Sequence, residues 1–264
     1  SSDLYLNVRD ISNVTVAQLD LSNFGSIRDF AARHLATCRH IDILIANAEV
    51  MACPEIRVDL GLEAHFATNH LGHYALVNLL WPALRGSARV IVVSSANHHQ
   101  SGIRWGDVQF RKRYDKWLAY AQSKTANVLF AVHLDRLGLR EGVRAFSVNP
   151  GKTLAHLQWP LFREDRVGSN RKYLNHHYSH RIIKTASQGA ATQLWAATSS
   201  LLTGLGGLYC EDCGIARQTM DEPPSSRGVR GYAIDLVEAR RLWALSAELT
   251  GVNTICMLQS IRYP

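Results

Sequence analysis

The sequence predicts an α/β fold, a doubly wound parallel sheet whose strands are joined by crossover helices. Apolar runs of strand length alternate with segments of helical periodicity, as such crossovers require. Those runs are continuously apolar rather than alternating, which marks strands buried on both faces. A third observation places a site. Asn47, Ser94-Ser95 and Asn149-Pro150-Gly151 fall at the ends of three runs. Ligands of open parallel sheets sit outside the carboxyl ends of the strands.

In chain order, Val14–Leu21 reads as a strand, and Ser22–Thr37 as a helix opened by a serine cap. Ile41–Ala46 is a short, fully apolar strand. Leu60–Leu84 reads as one long helix with Leu62, Phe66, His70, His73, Val77 and Leu80 on one side. Arg89–Ser94 is the next strand, and Lys116–Leu139 the next helix. Arg144–Asn149 is a further strand. Residues 152–184 are polar, basic and aromatic with little periodicity, and read as a flap. Thr185–Ser200 is a helix, Gly206–Cys210 a last strand and Ile234–Leu249 a C-terminal helix. Residues 217–231, with Pro223-Pro224 and several Gly and Ser, form a loop inside a single domain spanning 1–264.

The 264 residues are enough to bury a full core. With 47% hydrophobic and 19% charged residues the chain reads as globular. No apolar run is long enough for a membrane span, and no signal-peptide pattern opens the chain, so a cytoplasmic protein is expected. Five cysteines, an odd number, argue for free thiols. Cys210-Glu-Asp-Cys213 is a lone CxxC without a second ligand pair nearby, so no metal site is expected. The net charge of +7 includes the clusters Arg111-Lys-Arg113 and Arg171-Lys172. These read as a solvated basic face first and a phosphate contact second. No nucleic-acid-binding motif accompanies them.

Tyr120-Ala-Gln-Ser-Lys124 carries the chemistry. A Tyr and a Lys four apart share a helix face. A free phenol has a pKa of about 10, so bringing it near 7 takes roughly 4 kcal/mol. A fixed ammonium about 4 Å away in a half-buried site supplies about that much. The pair can therefore act as a general acid/base. Taken singly, Tyr120 reads as a helix aromatic, Lys124 as a solvated charge, Ser95 as a strand-end cap and Asn69 as a helix irregularity.

Together with Asn47-Ala48, Asn69, Ser95 and Pro150-Gly151, this motif resembles the short-chain dehydrogenase/reductase superfamily. Phe66-Ala-Thr-Asn-His-Leu-Gly-His73, Gln188-Gly-Ala-Ala-Thr192 and Gly204-Leu-Gly-Gly-Leu-Tyr209 are similar to its retinol-dehydrogenase-like and WW-domain-oxidoreductase-like branch. The resemblance implies a Rossmann-like sheet and an NAD or NADP cofactor. It implies an oxidoreductase interconverting a lipophilic small-molecule alcohol and its carbonyl. Tyr120 would exchange the proton, and Lys124 would aid it and hold the nicotinamide ribose. Ser95 would bond the reacting oxygen, and Asn69 would support a proton-conducting water. Asp20, with Leu21, would lie near the adenine. Asn47 and Ala48 would line the nucleotide side, and Pro150, Gly151 and Thr153 the nicotinamide. A homo-oligomer paired through the two long helices would also follow.

Three departures keep a second reading open, a non-catalytic relative serving as a binding or scaffold module. No glycine-rich turn for the pyrophosphate precedes Asp20, so the first strands of the family sheet are expected to be missing or degenerate. Leu4–Arg9 reads as a remnant of the second strand. Glu49 stands where the family has a glycine that lets the backbone approach the cofactor. Thr153 sits early for its role.

Overall fold

A computed structural model describes residues 13–153, 183–220 and 227–262. Leu4–Arg9, most of the expected flap and the flap aromatics Trp159, Phe162, Tyr173 and Tyr178 lie outside those residues. So do Arg171 and Lys172.

Four parallel strands make the sheet: β1 (Ile43–Ala46), β4 (Arg89–Val93), β5 (Arg144–Asn149) and β6 (Leu208–Glu211). They lie side by side in that order, and β7 (Gly214–Ile215) turns back antiparallel on β6. Short strands β2 (Arg57–Val58) and β3 (Leu62–Glu63) form a separate hairpin.

Side-chain parity along the strands builds two cores. Leu44, Ala46, Val90, Val92 and Ala145 face α1 (Phe24–Leu35), α2 (Gly72–Leu79) and α4 (Lys116–Gly138). Ile91, Val93, Phe146 and Val148 face α5 (Ala186–Thr198) through Ala196 and Ala197. Helices therefore cover both faces, which is the doubly wound arrangement the sequence predicts. The exception is β1, where Ile43 and Ile45 point to the second face and stay 42% and 37% exposed. That strand is half-buried despite its fully apolar sequence.

The expected strand at Val14–Leu21 is not one. Residues 14–20 carry no ladder, Val16 is 81% exposed, and the core is reached by Leu21, with Leu19 partly buried against it. A strand needs a partner edge, and among the described residues β1 pairs only with β4. Helix α1 starts later than expected, with Asn23 rather than Ser22 as its cap, accepting from Ser26 N at 2.9 Å.

The long helix expected over 60–84 is broken at both ends. Leu60 and Gly61 adopt left-handed φ values of 58° and 70°, which no helix start tolerates. Leu62, placed on the helix face by periodicity, sits in β3 instead. A π-helical turn (Phe66–Leu71) then leads into α2. Pro82, inside α3 (Trp81–Leu84), lacks an amide proton and ends α2 before it. The expected loop at 217–231 holds a small parallel pair, β8 (Gln218–Thr219) with β9 (Val229–Arg230).

Helix α4 is capped by Asp115, which accepts from Trp117 N and Leu118 N at 2.9 Å. It is buried from Ala119 to Asp135, between the sheet and α6 (Leu236–Thr250). Trp243 of α6 stacks on Phe130 of α4 at 5.8 Å and meets Tyr74 of α2 edge-on at 4.8 Å. Helix α4, one of the two through which the resemblance implies subunit pairing, packs along α6 of the same chain. The last helix, α7 (Thr254–Arg262), was not read from the sequence.

Candidate active site

Lys124 is no solvated charge: it is 1% exposed. Its ammonium donates to the Val93 carbonyl at 3.1 Å, at the end of β4. Asn127, one turn further along α4, donates to the same carbonyl at 2.9 Å. Ser94 returns a bond from β4 to α4, its hydroxyl donating to the Lys124 carbonyl at 2.8 Å. Three bonds therefore stitch the strand end to the helix and fix the ammonium 5.5 Å from the centre of the Tyr120 ring.

The Tyr120 ring packs in a small apolar cluster with Met51, Ala52 and Trp117. Its hydroxyl faces the Glu49 carboxylate, with the two oxygens 3.4 and 3.5 Å away. The same carboxylate closes an ion pair on Lys124. Glu49 flanks β1 and Tyr120 lies on α4, so one carboxylate joins the strand end to both Tyr120 and Lys124.

Asn69 sits on the π-turn, fully buried. Its side chain acts like a strand partner for Val50, accepting from the amide at 2.8 Å and donating to the carbonyl at 2.9 Å. It also donates to Ser123 Oγ at 3.0 Å, and Ser123 donates to the Tyr120 carbonyl at 2.7 Å. The Asn69 carbonyl, exposed by the widened turn, takes the His73 ring N–H at 2.9 Å. Asn69 thus brackets the Glu49–Val50 loop to α4. Burial holds His73 neutral and brings its pKa down to about 4, with Lys124 adding to the effect.

Ser95 caps the turn that leaves β4. Its oxygen accepts from Asn97 N at 3.2 Å, so its own hydroxyl proton is not used in that bond. His98 anchors the turn. Its Nδ1 donates to the Ser95 carbonyl at 2.7 Å and its Nε2 accepts from Arg230 N at 3.3 Å, which fits one neutral tautomer. Burial, helped by His99, brings the His98 pKa down to about 3.

The residues expected at the cofactor are more scattered. Asp20 is exposed, and its carboxylate accepts from the amide and hydroxyl of Ser22 at 2.9 and 2.7 Å. Leu21 is a core residue. Asn47 and Ala48 are exposed beyond β1, and Asn47 accepts from Gln193 of α5 at 3.1 Å. Pro150 is buried and Gly151 has a φ of 80°, its amide held by Asn149 Oδ1 at 3.0 Å. A Cβ on Gly151 would lie 2.9 Å from the Lys184 side chain. Thr153 bridges to Lys184, at the two ends of the flap segment.

Sequence reasoning missed a buried cluster behind Tyr120. His65 pairs with Glu63 at 2.6 Å and lies 3.4 Å from Cys53 Sγ. Burial pulls the His65 pKa down, but its bonds to Cys53 and Glu63 and the Glu63 charge outweigh this and raise it to about 9. The CxxC lies on the β6–β7 hairpin, where burial raises the Cys210 thiol to about 12. Among the described residues no group of three or more His, Cys, Asp or Glu could hold a metal ion, and no helix is long and apolar enough to cross a membrane.

The family described as short chain dehydrogenase matches residues 7–166. Retinol dehydrogenase 11 of Homo sapiens is 38% identical over 241 residues, 90% of this chain and 70% of its own. Retinol dehydrogenase 12 of Mus musculus is 38% identical over 253 residues, 92% of this chain and 71% of its own. A crystal structure of an uncharacterised protein from Mycobacterium Paratuberculosis superposes with a TM-score of 0.67 at 33% identity, covering 91% of this chain and 77% of that one.

Proposed function

The chain belongs to the short-chain dehydrogenase family and is an oxidoreductase, and on that premise we propose that it interconverts an alcohol and a carbonyl compound, with Tyr120 as the acid/base. The observation that carries this reading is the Tyr120–Lys124 pair, fixed on one side of α4 by the Val93 carbonyl. In reduction Tyr120 gives its proton to the carbonyl oxygen; in oxidation it takes the alcohol proton back. The Lys124 ammonium favours the phenolate that forms on the way. Ser95 donates its free hydroxyl proton to the same substrate oxygen.

The cofactor is NAD(H) or NADP(H), which when bound supplies or accepts the hydride. The residues present fit its nicotinamide end: Lys124 offers ammonium donors, and Gly151 holds a left-handed turn beside Pro150. Among the described residues Glu49 stands there against an anionic ligand. It is also the observation that speaks for the non-catalytic reading, against which stand the retained Ser95, Tyr120 and Lys124. The substrate is a lipophilic small molecule, on the evidence of the apolar wall of Met51, Ala52 and Trp117. The relatives named retinol dehydrogenases point the same way. Free cysteines throughout the described chain fit a reducing compartment such as the cytoplasm.

The test is a fluorescence titration with NADPH and NADH, followed by turnover of apolar aldehydes and alcohols in the native chain and in Tyr120→Phe. Tyr120→Phe should lose roughly 100-fold or more of its turnover, the scale of a general acid/base, with unchanged unfolding. Undiminished turnover in that variant would overturn the assignment.

A further inference from the structure

Lys124 has three N–H donors. One is on the Val93 carbonyl and another faces Glu49. A ribose hydroxyl approaching this ammonium therefore meets a carboxylate already bound to it. The pair is well shielded, with Lys124 1% and Glu49 11% exposed, so the attraction is screened far less than at a surface. The Glu49 backbone cannot simply retreat, because Asn69 clamps the next residue, Val50, through both amide and carbonyl. The side chain can still move while the backbone stays, since its own torsions carry the carboxylate between rotamers.

We propose that Glu49 is an internal competitor for Lys124, so that a nicotinamide nucleotide binds only as the Glu49 carboxylate swings off the ammonium into solvent. The inference rests on the oxidoreductase reading above and extends it to cofactor affinity. The same carboxylate faces the Tyr120 hydroxyl, where a second negative charge would be repelled. While Glu49 stays in place, its carboxylate occupies both the ammonium and the Tyr120 hydroxyl. Displacing Glu49 frees Lys124 for the cofactor and the Tyr120 hydroxyl for the substrate oxygen. Cofactor binding and the availability of the Tyr120 hydroxyl are thereby coupled through one side chain.

The experiment is a fluorescence titration with NADPH and NADH of the native chain, Glu49→Gly, Glu49→Ala and Glu49→Gln. Glu49→Gln keeps the length and hydrogen-bonding capacity of the side chain without its charge, and guards against loss of folding in the truncated variants. Glu49→Gly and Glu49→Ala should tighten binding at least tenfold, with Glu49→Gln between them and the native chain. The gain should vanish when Glu49→Gln is added to Lys124→Met and compared with Lys124→Met alone, because nothing is then left to compete for. A gain that persists in the double variant would mean plain repulsion of phosphates and would overturn the competition. Saturable binding with the same Kd in all four proteins would overturn it too, while leaving the oxidoreductase reading intact. If neither the native chain nor any folded Glu49 variant binds either nucleotide, both are overturned.

Discussion

Asn69 donates a 3.0 Å hydrogen bond to Ser123, and through it the loop that follows β1 is locked to the helix bearing Tyr120. Ser123 in turn gives its own proton to the Tyr120 carbonyl, so both capacities of the hydroxyl are engaged. The π-turn explains why the bond forms. Widening the helix by one residue swings Asn69 toward Val50 and leaves its carbonyl to His73.

Asn69→Ala should therefore destabilise the fold by about 2–4 kcal/mol, since it strands the buried partner groups of Val50 and Ser123. Urea unfolding measures this. Ser123→Ala removes one of those bonds and should cost less. Equal costs would show that the Val50 clamp contributes nothing.

Lys124→Met keeps the length of the side chain and removes the ammonium. Turnover should fall roughly 100-fold or more, because Tyr120 then lacks its cationic neighbour. Nucleotide affinity should fall as well. Loss of turnover at full nucleotide affinity would limit Lys124 to the proton step.

Much of this site was legible in the sequence for a physical reason. Tyr120 and Lys124 lie four apart, so a correct helix places both on one side. The ends of the apolar runs located Ser94-Ser95 and Asn149-Pro-Gly151 for the same kind of reason. The contacts that cross between elements were not legible. Nothing local in Ala48-Glu49-Val50 says that the carboxylate turns onto Lys124, which lies on a different element. His65 and His98 were not legible as buried anchors, because Cys53 and Arg230 approach them from separate segments. Val14–Leu21 misled because strand propensity does not supply a neighbouring edge, and Leu60–Leu84 because periodicity does not register a left-handed Leu60-Gly61.

The buried histidines give the fold a stability optimum near neutrality. Burial brings His70 and His98 down to about 3 and His73 to about 4. The unfolded chain takes up these protons below about pH 6.5, whereas the folded chain does not. Their contribution is present above that pH and is lost progressively as pH falls toward 3. His65 has the opposite sign: its folded pKa of about 9 lies above the unfolded value. Its contribution is complete below about pH 6.5 and is lost as pH rises through 9. Urea midpoints measured across this range should peak near neutral pH. His65→Gln should flatten the alkaline side and leave the acid side steep, and a profile unchanged on the alkaline side would remove His65 from the account.

Gly72 opens α2, where alanine is normally the better helix former by about 1 kcal/mol. Here the order should reverse. A Cβ at Gly72 would lie 2.3 Å from the Leu21 carbonyl oxygen and 2.9 Å from the Leu21 Cβ, so the backbone of one segment rests directly on the other. A carbonyl cannot rotate out of the way as a flexible side chain can, so either Leu21 leaves the core or α2 shifts. Gly72→Ala should destabilise the fold by about 1–3 kcal/mol, the range for overpacking. The contact also ties Asp20-Leu21, where the family resemblance places the adenine, to the stretch of chain that carries Asn69. Displacing Leu21 should therefore weaken NADPH and NADH binding in the same variant. Lost stability with unchanged nucleotide affinity would make Leu21 a core residue alone and take the Asp20-Leu21 turn out of the cofactor site.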